Sequence, residues 1–327
     1  MNNRWKIACL DVWEEDVKAA TRAVAPAEFD LHFAAGYDDE QQASLTCDSD
    51  FILAGWAPVP KSLLDRSPKV RMVHKWGIGY DKIDLDACRA RGIPVLITAG
   101  ANKGPVAEHT IMLILAVYRQ LGRMDRGVRS DRWLKKEARS ATRGLVGKTV
   151  GLLGFGNIGR AVTQKIRGFD VDVIYYDIVR ADAETERELA ATFVSYEELL
   201  KRSDVLSVHV PLDDTTRAMI NGPALAQMKD DAILINCARG EIIDVEAVAD
   251  ALQSNTLLGA GIDVWPSEPA PSDHPLLAFD TVIATPHTAG AVYDNVGNVS
   301  AHAFRNMQRL LAGEELPEAD VIVPIGG

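Results

Sequence analysis

A chain of 327 residues is longer than one ordinary hydrophobic core, so its length predicts two domains. Hydrophobic residues make up 47% and charged residues 25%, which is typical of globular proteins and excludes disordered and collagen-like classes. The formal net charge of −11 argues against nucleic-acid binding, because an acidic surface repels phosphate backbones.

The cysteines Cys9, Cys47, Cys88 and Cys237 are irregularly spaced and contain no C-x-x-C pair. This pattern predicts no zinc or other metal site and no disulfide framework, and it favours the reducing cytoplasm. The most apolar stretch, around 111–117, is far shorter than the ~20 residues of a membrane helix. The N-terminus also lacks the apolar run of a signal peptide, so we expect neither export nor membrane binding.

The first hundred residues alternate short apolar runs with helical patterns. Strands are predicted at 6–10, 50–54, 71–74 and 93–97, and helical segments such as 14–22 and 85–91 lie between them. Alternation of this kind predicts a parallel sheet covered by helices.

A long apolar helix is predicted next, from 104 to about 121. Pro105 suits its first turn, where the missing N–H is harmless. The helix has so little polar surface that we expect it to be buried in a core or against another domain or subunit. The segment 122–147 is rich in Arg and Lys and has no clear period, and we interpret it as an extended arm.

A second alternating series starts at Lys148. Its strands are predicted at 149–154, 172–177, 205–209, 232–236, 259–264 and 282–284. The tail adds a helix at about 289–311 and a short apolar segment at 321–325. Together these elements predict the α/β class, with a complete doubly wound sheet in the second half.

The segment 149–160 carries a G-x-G-x-x-G motif between a predicted strand and a predicted helix at 160–168. This context makes the motif informative. Gly154 permits a tight turn, Gly156 lets a pyrophosphate approach the backbone, and Gly159 lets the helix lie close to the strand. The N–H groups at the helix N-terminus attract phosphates, although a turn without any ligand is the alternative. The loop is completed by Phe155, Asn157 and Ile158.

Asp177 ends the next predicted strand, 18 residues after Gly159 (177 − 159). The spacing is typical of an acid that binds the adenosine ribose. A carboxylate there accepts hydrogen bonds from the ribose hydroxyls and repels a 2′-phosphate, so NAD is predicted in preference to NADP. Arg180 lies close by and weakens this preference.

Three ionisable residues, Arg239, Glu268 and His287, each follow the carboxyl end of a predicted strand. Open α/β sheets bind their ligands at that edge. Hydride removal from an alcohol also requires removal of the hydroxyl proton, which a histidine can take and return. A carboxylate can orient the imidazole, and an arginine can hold a substrate carboxylate. Alternatively, Arg239 is a helix-end cation, Glu268 a loop acid and His287 a core histidine.

Several segments in fixed order resemble the D-isomer-specific 2-hydroxyacid dehydrogenase family. The resemblance covers nearly the whole chain and rests on 75–84 (KWGIGYDKID), the turn at 154–159, 209–212 (HVPL), 236–240 (NCARG) and the order Arg239, Glu268, His287. It implies two Rossmann-like doubly wound parallel-sheet domains with a cleft between them. Residues 1–101 plus 292–327 would form a flavodoxin-like substrate-binding domain, and residues 102–291 would form the NAD-binding domain.

The resemblance also implies a role for each matched residue. Arg239 would bind the substrate carboxylate, His287 would be the acid/base, and Glu268 would pair with it and favour its charged form. The backbone N–H groups of Ile78 and Gly79 would hold the same carboxylate. On the cofactor side, Asp263 would bind the nicotinamide carboxamide. Cys237 and Ala238 would lie beside the nicotinamide ring, and the ribose and pyrophosphate would be contacted by His209, Val210, Pro211 and Thr216. The remaining implied cofactor contacts are Arg239, His287 and Gly290. His209 and Cys237 are better explained as structural residues than as reactive ones.

The predicted function is NAD-dependent interconversion of a small 2-keto acid, such as glyoxylate or hydroxypyruvate, and its D-2-hydroxy acid. A short form of 3-phosphoglycerate dehydrogenase remains open, and so does a non-enzymatic NAD(H)-sensing protein of the corepressor kind. Formate oxidation fits less well, because that branch lacks an acid in the place of Glu268. Lys75 either meets a second anionic group, which also keeps phosphite oxidation open, or is a solvated loop lysine.

Two further expectations concern partners and specificity. The resemblance implies a homodimer formed through the helix and arm at 104–146. The substrate side chain would be selected by loops near 53–56 and 75–76. Trp56 and Trp76 suggest an apolar wall there, unless both belong to the core.

Overall fold

The computed structural model describes residues 4–326, which fold as two compact units, each around its own sheet. One unit comprises Met1–Asn102 together with Val292–Gly327, and the other comprises Lys103–Ala291. The first unit is therefore discontinuous in sequence, and the second is inserted into it.

Strands supply the frame of both units. They are β1 (Trp5–Cys9), β2 (Phe29–Phe33), β3 (Phe51–Ala54), β4 (Met72–Lys75), β5 (Val95–Leu96), β6 (Thr149–Leu153), β7 (Asp172–Tyr176), β8 (Ala191–Phe193), β9 (Val205–Val208), β10 (Ile233–Asn236), β11 (Gly259–Ile262), β12 (Val282–Ala284) and β13 (Val321–Val323).

Helices connect most of these strands. They are α1 (Glu15–Ala23), α2 (Asp39–Thr46), α3 (Lys61–Asp65), α4 (Leu85–Ala90), α5 (Lys103–Tyr118), α6 (Leu121–Arg129), α7 (Lys135–Ala141), α8 (Asn157–Ile166), α9 (Ala183–Leu189), α10 (Tyr196–Arg202), α11 (Gly222–Leu225), α12 (Val245–Gln253) and α13 (Val296–Ala312). Short 3-10 turns lie at Arg167–Phe169, Gly240–Ile242, Pro275–Ala278, Tyr293–Asn295 and Glu318–Asp320.

The first sheet has the strand order β13-β5-β4-β3-β1-β2. Its strands run parallel except β13, which returns from the end of the chain and pairs antiparallel with β5. The second sheet has the order β12-β11-β10-β9-β6-β7-β8, and all of its pairs are parallel. The prediction of two doubly wound sheets is confirmed, and the strand order of the second sheet reverses at β6, the position where such folds bind ligands.

The core follows from the alternation of side chains along buried strands. In the second unit Leu152 packs on one face of the sheet and its neighbour Leu153 on the other, and Ile235 and Leu234 divide in the same way. The apolar helix α5 covers one face, with eight of its 16 residues buried. The prediction of burial is confirmed for the face of the helix that lies on the sheet, whereas Met112 of the same helix is 45% exposed. Among residues 4–326, no helix reaches the length and hydropathy that a bilayer crossing requires.

Each predicted strand is present, with its ends within two residues of those predicted. The apolar pattern did not predict β2 and β8, the edge strands opposite β13 and β12, because edge strands are short or half-exposed and lack a continuous apolar run. The same pattern left out α2 and α3, whose amphipathic signal is weak over five to eight residues.

The expectation of an extended arm at 122–147 is wrong, because this segment forms α6 and α7. Arg129 pairs with Asp125 one helical turn earlier, at 2.8 Å, which stabilises α6 despite its many charges. Gly127 then packs against Leu134, so closely that an added Cβ would overlap that side chain. The segment therefore folds on itself.

Two further helix boundaries differ from the prediction. The helix after the glycine motif starts at Asn157, three residues earlier than predicted, because Gly156 already serves as its N-cap. The tail helix starts at Val296 and not near 289. The N–H groups of Thr288 and Ala289 donate to the side chain of Asp263, so this stretch turns before the helix begins.

Candidate active site

The predicted catalytic and cofactor residues of the second unit lie along one edge of its sheet. In strand order, Asp177 follows β7, the turn at 154–159 follows β6, His209 follows β9, Arg239 follows β10, Asp263 and Glu268 follow β11, and His287 follows β12. Because parallel strands end at a common edge, these residues form a row with the glycine turn at the point where the strand order reverses.

The three glycines of the glycine turn lie in different surroundings. Gly154 has a φ of +98°, and a Cβ there would lie 2.7 Å from the backbone of His209. A Cβ on Gly159 would overlap the carbonyl oxygen of Gly154. Gly156, in contrast, borders open space, with no described heavy atom within 4 Å of its Cβ position.

Helix α8 begins at this open space. Within the described chain no side chain caps its N-terminus, so its first backbone N–H groups are available to an external acceptor. Uncapped N–H groups beside a space that only glycine leaves open fit a pyrophosphate group.

Asp177 is fixed beside the turn by backbone donors. The N–H of Phe155 donates to Oδ2 at 2.7 Å, and the N–H of Val179 donates to Oδ1 at 3.1 Å. Each carboxylate oxygen keeps a second lone pair, which suits it to accept from a sugar hydroxyl. The ring of Phe155 stacks on Tyr175 at 3.8 Å, which ties the turn to β7.

His209 follows β9 and is bonded to residues of β6 and β9. Its N–H donates to the carbonyl of Leu153 at 2.7 Å, and its Nε2 lies 2.8 Å from the Ser207 hydroxyl. Burial lowers the pKa of His209 to about 4, so the ring is neutral near pH 7. Further along the loop, the Thr216 hydroxyl donates to the carbonyl of Pro211 at 2.7 Å. His209 is thus a structural residue of the loop.

The structure brings His287 and Glu268 together. Nδ1 of His287 lies 3.0 and 3.1 Å from the two carboxylate oxygens of Glu268. The backbone N–H of Trp265 donates to Oε1 of Glu268 at 2.9 Å and fixes the acid on its loop. The side chains of His287 and Glu268 are 27% and 15% exposed, which suits groups that must reach a substrate.

His287 has a φ of +53°, a left-handed conformation that costs a non-glycine residue roughly 1–3 kcal/mol. Three hydrogen bonds to Asp263 hold it in place. The His287 N–H donates to the Asp263 carbonyl at 2.6 Å, and the next two N–H groups donate to the Asp263 carboxylate at 2.9 Å each. The turn that presents the imidazole is therefore built on Asp263.

Asp263 is fully buried and ionised. Burial acts to raise its pKa, but hydrogen bonds from His109, Thr285 and the backbone N–H groups of Ala289 and Thr288 outweigh burial and lower the pKa to about 2. Sequence reasoning missed His109 and Thr285. The available signal was a histidine, His109, inside the largely apolar helix α5.

Arg239 lies in a loop held by the buried Asn236. The Asn236 side chain donates to the carbonyl of Arg239 at 2.8 Å and accepts from the N–H of Ala238 at 3.0 Å. Nη1 of Arg239 donates to the carbonyl of Ala238 at 2.6 Å. At Gly240 the backbone comes so close to that of Trp265 that a Cβ would overlap it, which brings the loops of Arg239 and Glu268 into contact.

Cys237, in the same loop, is buried, and burial raises the pKa of its thiol to about 12. The thiol is therefore protonated and unreactive near neutral pH, in agreement with the expectation that it packs. Among residues 4–326, no three His, Cys, Asp or Glu side chains are grouped as metal ligands.

Lys75, Ile78 and Gly79 belong to the first unit, where Lys75 ends β4 and the other two lie in the loop that follows it. Lys75 is only 9% exposed and its ammonium group donates to the carbonyl of Gly55, so it is not a solvated loop lysine. Both the N–H and the hydroxyl of Thr98 donate to the carbonyl of Gly77 at 2.9 Å, which fixes the loop that carries Ile78 and Gly79.

The two tryptophans near this loop differ. Trp76 packs against Trp13, with ring centroids 4.9 Å apart, and its indole N–H donates to Ser300 at 3.0 Å, so it is partly buried against the core. Trp56 is exposed, with the Lys82 ammonium group 3.9 Å from its ring centroid.

Comparison with known proteins gives consistent matches. Residues 111–289 match the family described as D-isomer specific 2-hydroxyacid dehydrogenase, NAD binding domain. A glyoxylate reductase of Thermofilum pendens is 38% identical over 262 residues, which cover 79% of this chain and 77% of that protein. A D-3-phosphoglycerate dehydrogenase of Mycobacterium leprae is 34% identical over 301 residues, which cover 92% of this chain and 56% of that protein.

The fold has matches among solved structures as well. D-lactate dehydrogenase from Aquifex aeolicus, determined with NAD and lactic acid, aligns with a TM-score of 0.85 at 28% identity. The alignment covers 97% of this chain and 99% of that one.

Proposed function

Because the chain belongs to the D-isomer-specific 2-hydroxyacid dehydrogenase family, we propose that it reduces a small 2-keto acid of the glyoxylate or hydroxypyruvate kind to the D-2-hydroxy acid. It is an NAD-dependent dehydrogenase, and the proposal concerns its substrate and the residues that act on it. The observation that carries the proposal is the His287–Glu268 pair, which stands on the same sheet edge as the glycine turn.

NAD(H), when bound, supplies or accepts the hydride. We assign its pyrophosphate to the turn at 154–159, on the strength of the uncapped helix and the open space at Gly156. We assign the adenosine ribose to Asp177, whose negative charge disfavours the 2′-phosphate of NADP. The remaining proposed contacts are Val210, Pro211, Thr216, Cys237, Ala238, Asp263 and Gly290, with His209 behind them.

The proton is assigned to His287. Glu268 holds Nδ1, so the opposite ring nitrogen, Nε2, would donate to the keto oxygen during reduction and accept from the hydroxyl during oxidation. Arg239 would hold the substrate carboxylate through its planar fork and draw charge from the keto oxygen. Lys75, Ile78 and Gly79 of the first unit are proposed as further substrate contacts.

The assay is a panel of 2-keto acids with NADH and with NADPH, compared between wild type and His287→Gln. Loss of the proton donor lowers kcat by roughly 10²–10⁴-fold, whereas NADH affinity should change much less. His32→Gln, an exposed histidine in the other unit, is the matched control.

Two results would contradict this assignment. One is a His287→Gln enzyme of near wild-type kcat under conditions where the chemical step limits turnover. The other is tight NADH binding with no turnover of any 2-keto acid, which would favour the sensor function.

A second candidate function is 3-phosphoglycerate oxidation, favoured by the relative that aligns with 92% of this chain. The chain spans about half of that protein, and this candidate concerns the activity of the aligned part. Lys75 would then face the phosphate. Oxidation of 3-phosphoglycerate with NAD+, lost in Lys75→Met but not in Lys82→Met, supports this candidate.

We also propose a homodimer formed through the segment 104–146. It carries several exposed apolar side chains, and Trp133 is 77% exposed. Exposed apolar groups of this size mark association surfaces. The supporting set is Met112, Leu121, Val128, Trp133 and Val146. Light scattering after gel filtration should give a dimer for wild type and for Tyr37→Arg, and a monomer for Trp133→Arg; a monomeric wild type contradicts the proposal.

A further inference from the structure

Arg180 lies three residues after Asp177, on the loop that follows β7. Its guanidinium makes a two-bond ion pair with Glu186 of α9, with Nε–Oε1 and Nη2–Oε2 distances of 2.9 Å each. The guanidinium carbon also lies 5.3 Å from the ring centroid of Phe193. A side chain 62% exposed to solvent is thus fixed in one orientation.

Glu186 is in turn fixed by a hydrogen bond from Tyr175. Its side chain is only 14% exposed, and the Tyr175 hydroxyl donates to Oε1 at 2.7 Å. The same hydroxyl accepts the N–H of Ala181 at 3.0 Å. Arg180 and Tyr175 lower the pKa of Glu186 to about 2, so the carboxylate is ionised throughout the neutral range.

Tyr175 links this pair to the glycine turn. Its ring stacks on Phe155 at 3.8 Å, and the N–H of Phe155 donates to Asp177. The position of the ion pair is therefore coupled to the two elements assigned to the adenosine half of the cofactor.

From this arrangement we infer that Glu186 determines cofactor specificity by holding Arg180, the nearby cation that a 2′-phosphate would otherwise recruit. The inference rests on the proposed assignment of the adenosine ribose to Asp177. Specificity for NAD then has two parts. Asp177 repels the 2′-phosphate, and Glu186 withholds the guanidinium that would bind it.

The physical basis is competition between two anions for one guanidinium. A carboxylate already bonded through both oxygens, in a fixed position, binds Arg180 without further loss of side-chain freedom. A 2′-phosphate must displace it and leave Glu186 with one partner fewer. Removal of the Glu186 charge eliminates that competitor, and the conservative change Glu186→Gln keeps an oxygen that can accept from Tyr175.

The test measures the dissociation constants of NADPH and NADH by titration of the protein's tryptophan fluorescence. Asp177→Ser should bind NADPH about tenfold more tightly than wild type, and Asp177→Ser/Glu186→Gln should gain about another tenfold. Between Asp177→Ser and Asp177→Ser/Glu186→Gln, the affinity for NADH should change much less than the affinity for NADPH. Glu186→Ala, which cannot bond Tyr175 or Arg180, should give the same NADPH gain if it folds.

Arg180→Leu tests whether the guanidinium is the recruited group. It should leave NADPH binding unchanged in wild type and abolish the second tenfold gain in Asp177→Ser/Glu186→Gln. Arg160→Leu is the matched control, because Arg160 lies in α8 next to the glycine turn but donates to the carbonyl of Phe155. The gain should survive that change.

The inference is overturned if Glu186→Gln and Glu186→Ala add nothing to NADPH affinity in the Asp177→Ser background while NADH still binds. It is also overturned if Arg160→Leu, and not Arg180→Leu, removes the gain. Failure of the proposed function is a different result, namely that wild type binds neither dinucleotide or that Asp177→Ser leaves both affinities unchanged.

Discussion

His74 should make the first unit acid-sensitive. It is fully buried in β4, with Nδ1 2.9 Å from the carbonyl of Lys75 and Nε2 3.1 Å from the side-chain amide of Asn306. The amide nitrogen also donates to Asp320 at 2.9 Å. Nε2 therefore accepts and Nδ1 donates, which fixes the neutral ring. Burial lowers the pKa of His74 to about 4.

The sign and size of the effect follow from linkage. Between pH 6.5 and pH 4 the unfolded chain binds a proton at this position and the folded protein does not. Stability is therefore fully present above pH 6.5 and is lost as the pH falls toward 4. At about 1.4 kcal/mol per pKa unit, the shift from the ordinary value of 6.5 to about 4 corresponds to roughly 3 kcal/mol.

The assay is urea unfolding at pH 7.5, 6.5, 5.5 and 5.0, followed by tryptophan fluorescence. Four of the six tryptophans lie in the first unit, so the signal reports mainly on it: Trp5, Trp13, Trp56 and Trp76. The free energy of unfolding of wild type should fall, because of this group, by up to about 1.4 kcal/mol per pH unit below pH 6.5. His74→Gln should be less stable than wild type at pH 7.5, but its free energy of unfolding should fall correspondingly less on acidification.

His32→Gln is the control, because this exposed side chain meets solvent in the folded and in the unfolded chain. It should retain the wild-type dependence on pH. If His74→Gln keeps the full wild-type slope between pH 6.5 and 5, the linkage argument for His74 is refuted.

Two further predictions concern the second unit and the thiols. Gly156→Ala should fold with wild-type thermal stability and lose NADH binding by at least tenfold. Gly159→Ala should lower the melting temperature as well, because its methyl group would overlap the Gly154 carbonyl. Equal melting temperatures of the two variants would contradict the packing argument. Iodoacetamide at pH 8 should label Cys47 alone in the native protein, because Cys47 is the exposed cysteine and burial raises the pKa of the other three thiols. Rapid labelling of Cys237, measured by peptide mass, would contradict the burial of that thiol.

The sequence predicted the fold well because buried parallel strands are continuous apolar runs that need no partner to be recognised. Strands such as β9 and β10 are buried at every position. The edge strand β2, half-exposed along most of its length, has no such run. For 122–147, the sequence has no clear apolar period, and the contact of Gly127 with Leu134 is not visible in it.

Part of the candidate site was predictable, because some residues combine a side chain suited to the proposed chemistry with a position directly after a predicted strand. The positions of Arg239, Glu268 and His287 after successive strands were enough to nominate them. The support of Asp263 was not predictable, because His109 lies 154 residues earlier in the chain (263 − 109) and reaches the acid only in the folded unit. Contacts between distant segments leave no local pattern in a single sequence.

The discontinuous first unit has a consequence for synthesis on the ribosome. Its sheet is completed by β13, and the amide that fixes His74 comes from α13, so both arrive after the whole inserted unit has been translated. At about 5–20 residues per second, the N-terminal segment waits roughly 10–40 s for these elements. During that interval the edge of β5 that later pairs with β13 has no partner strand.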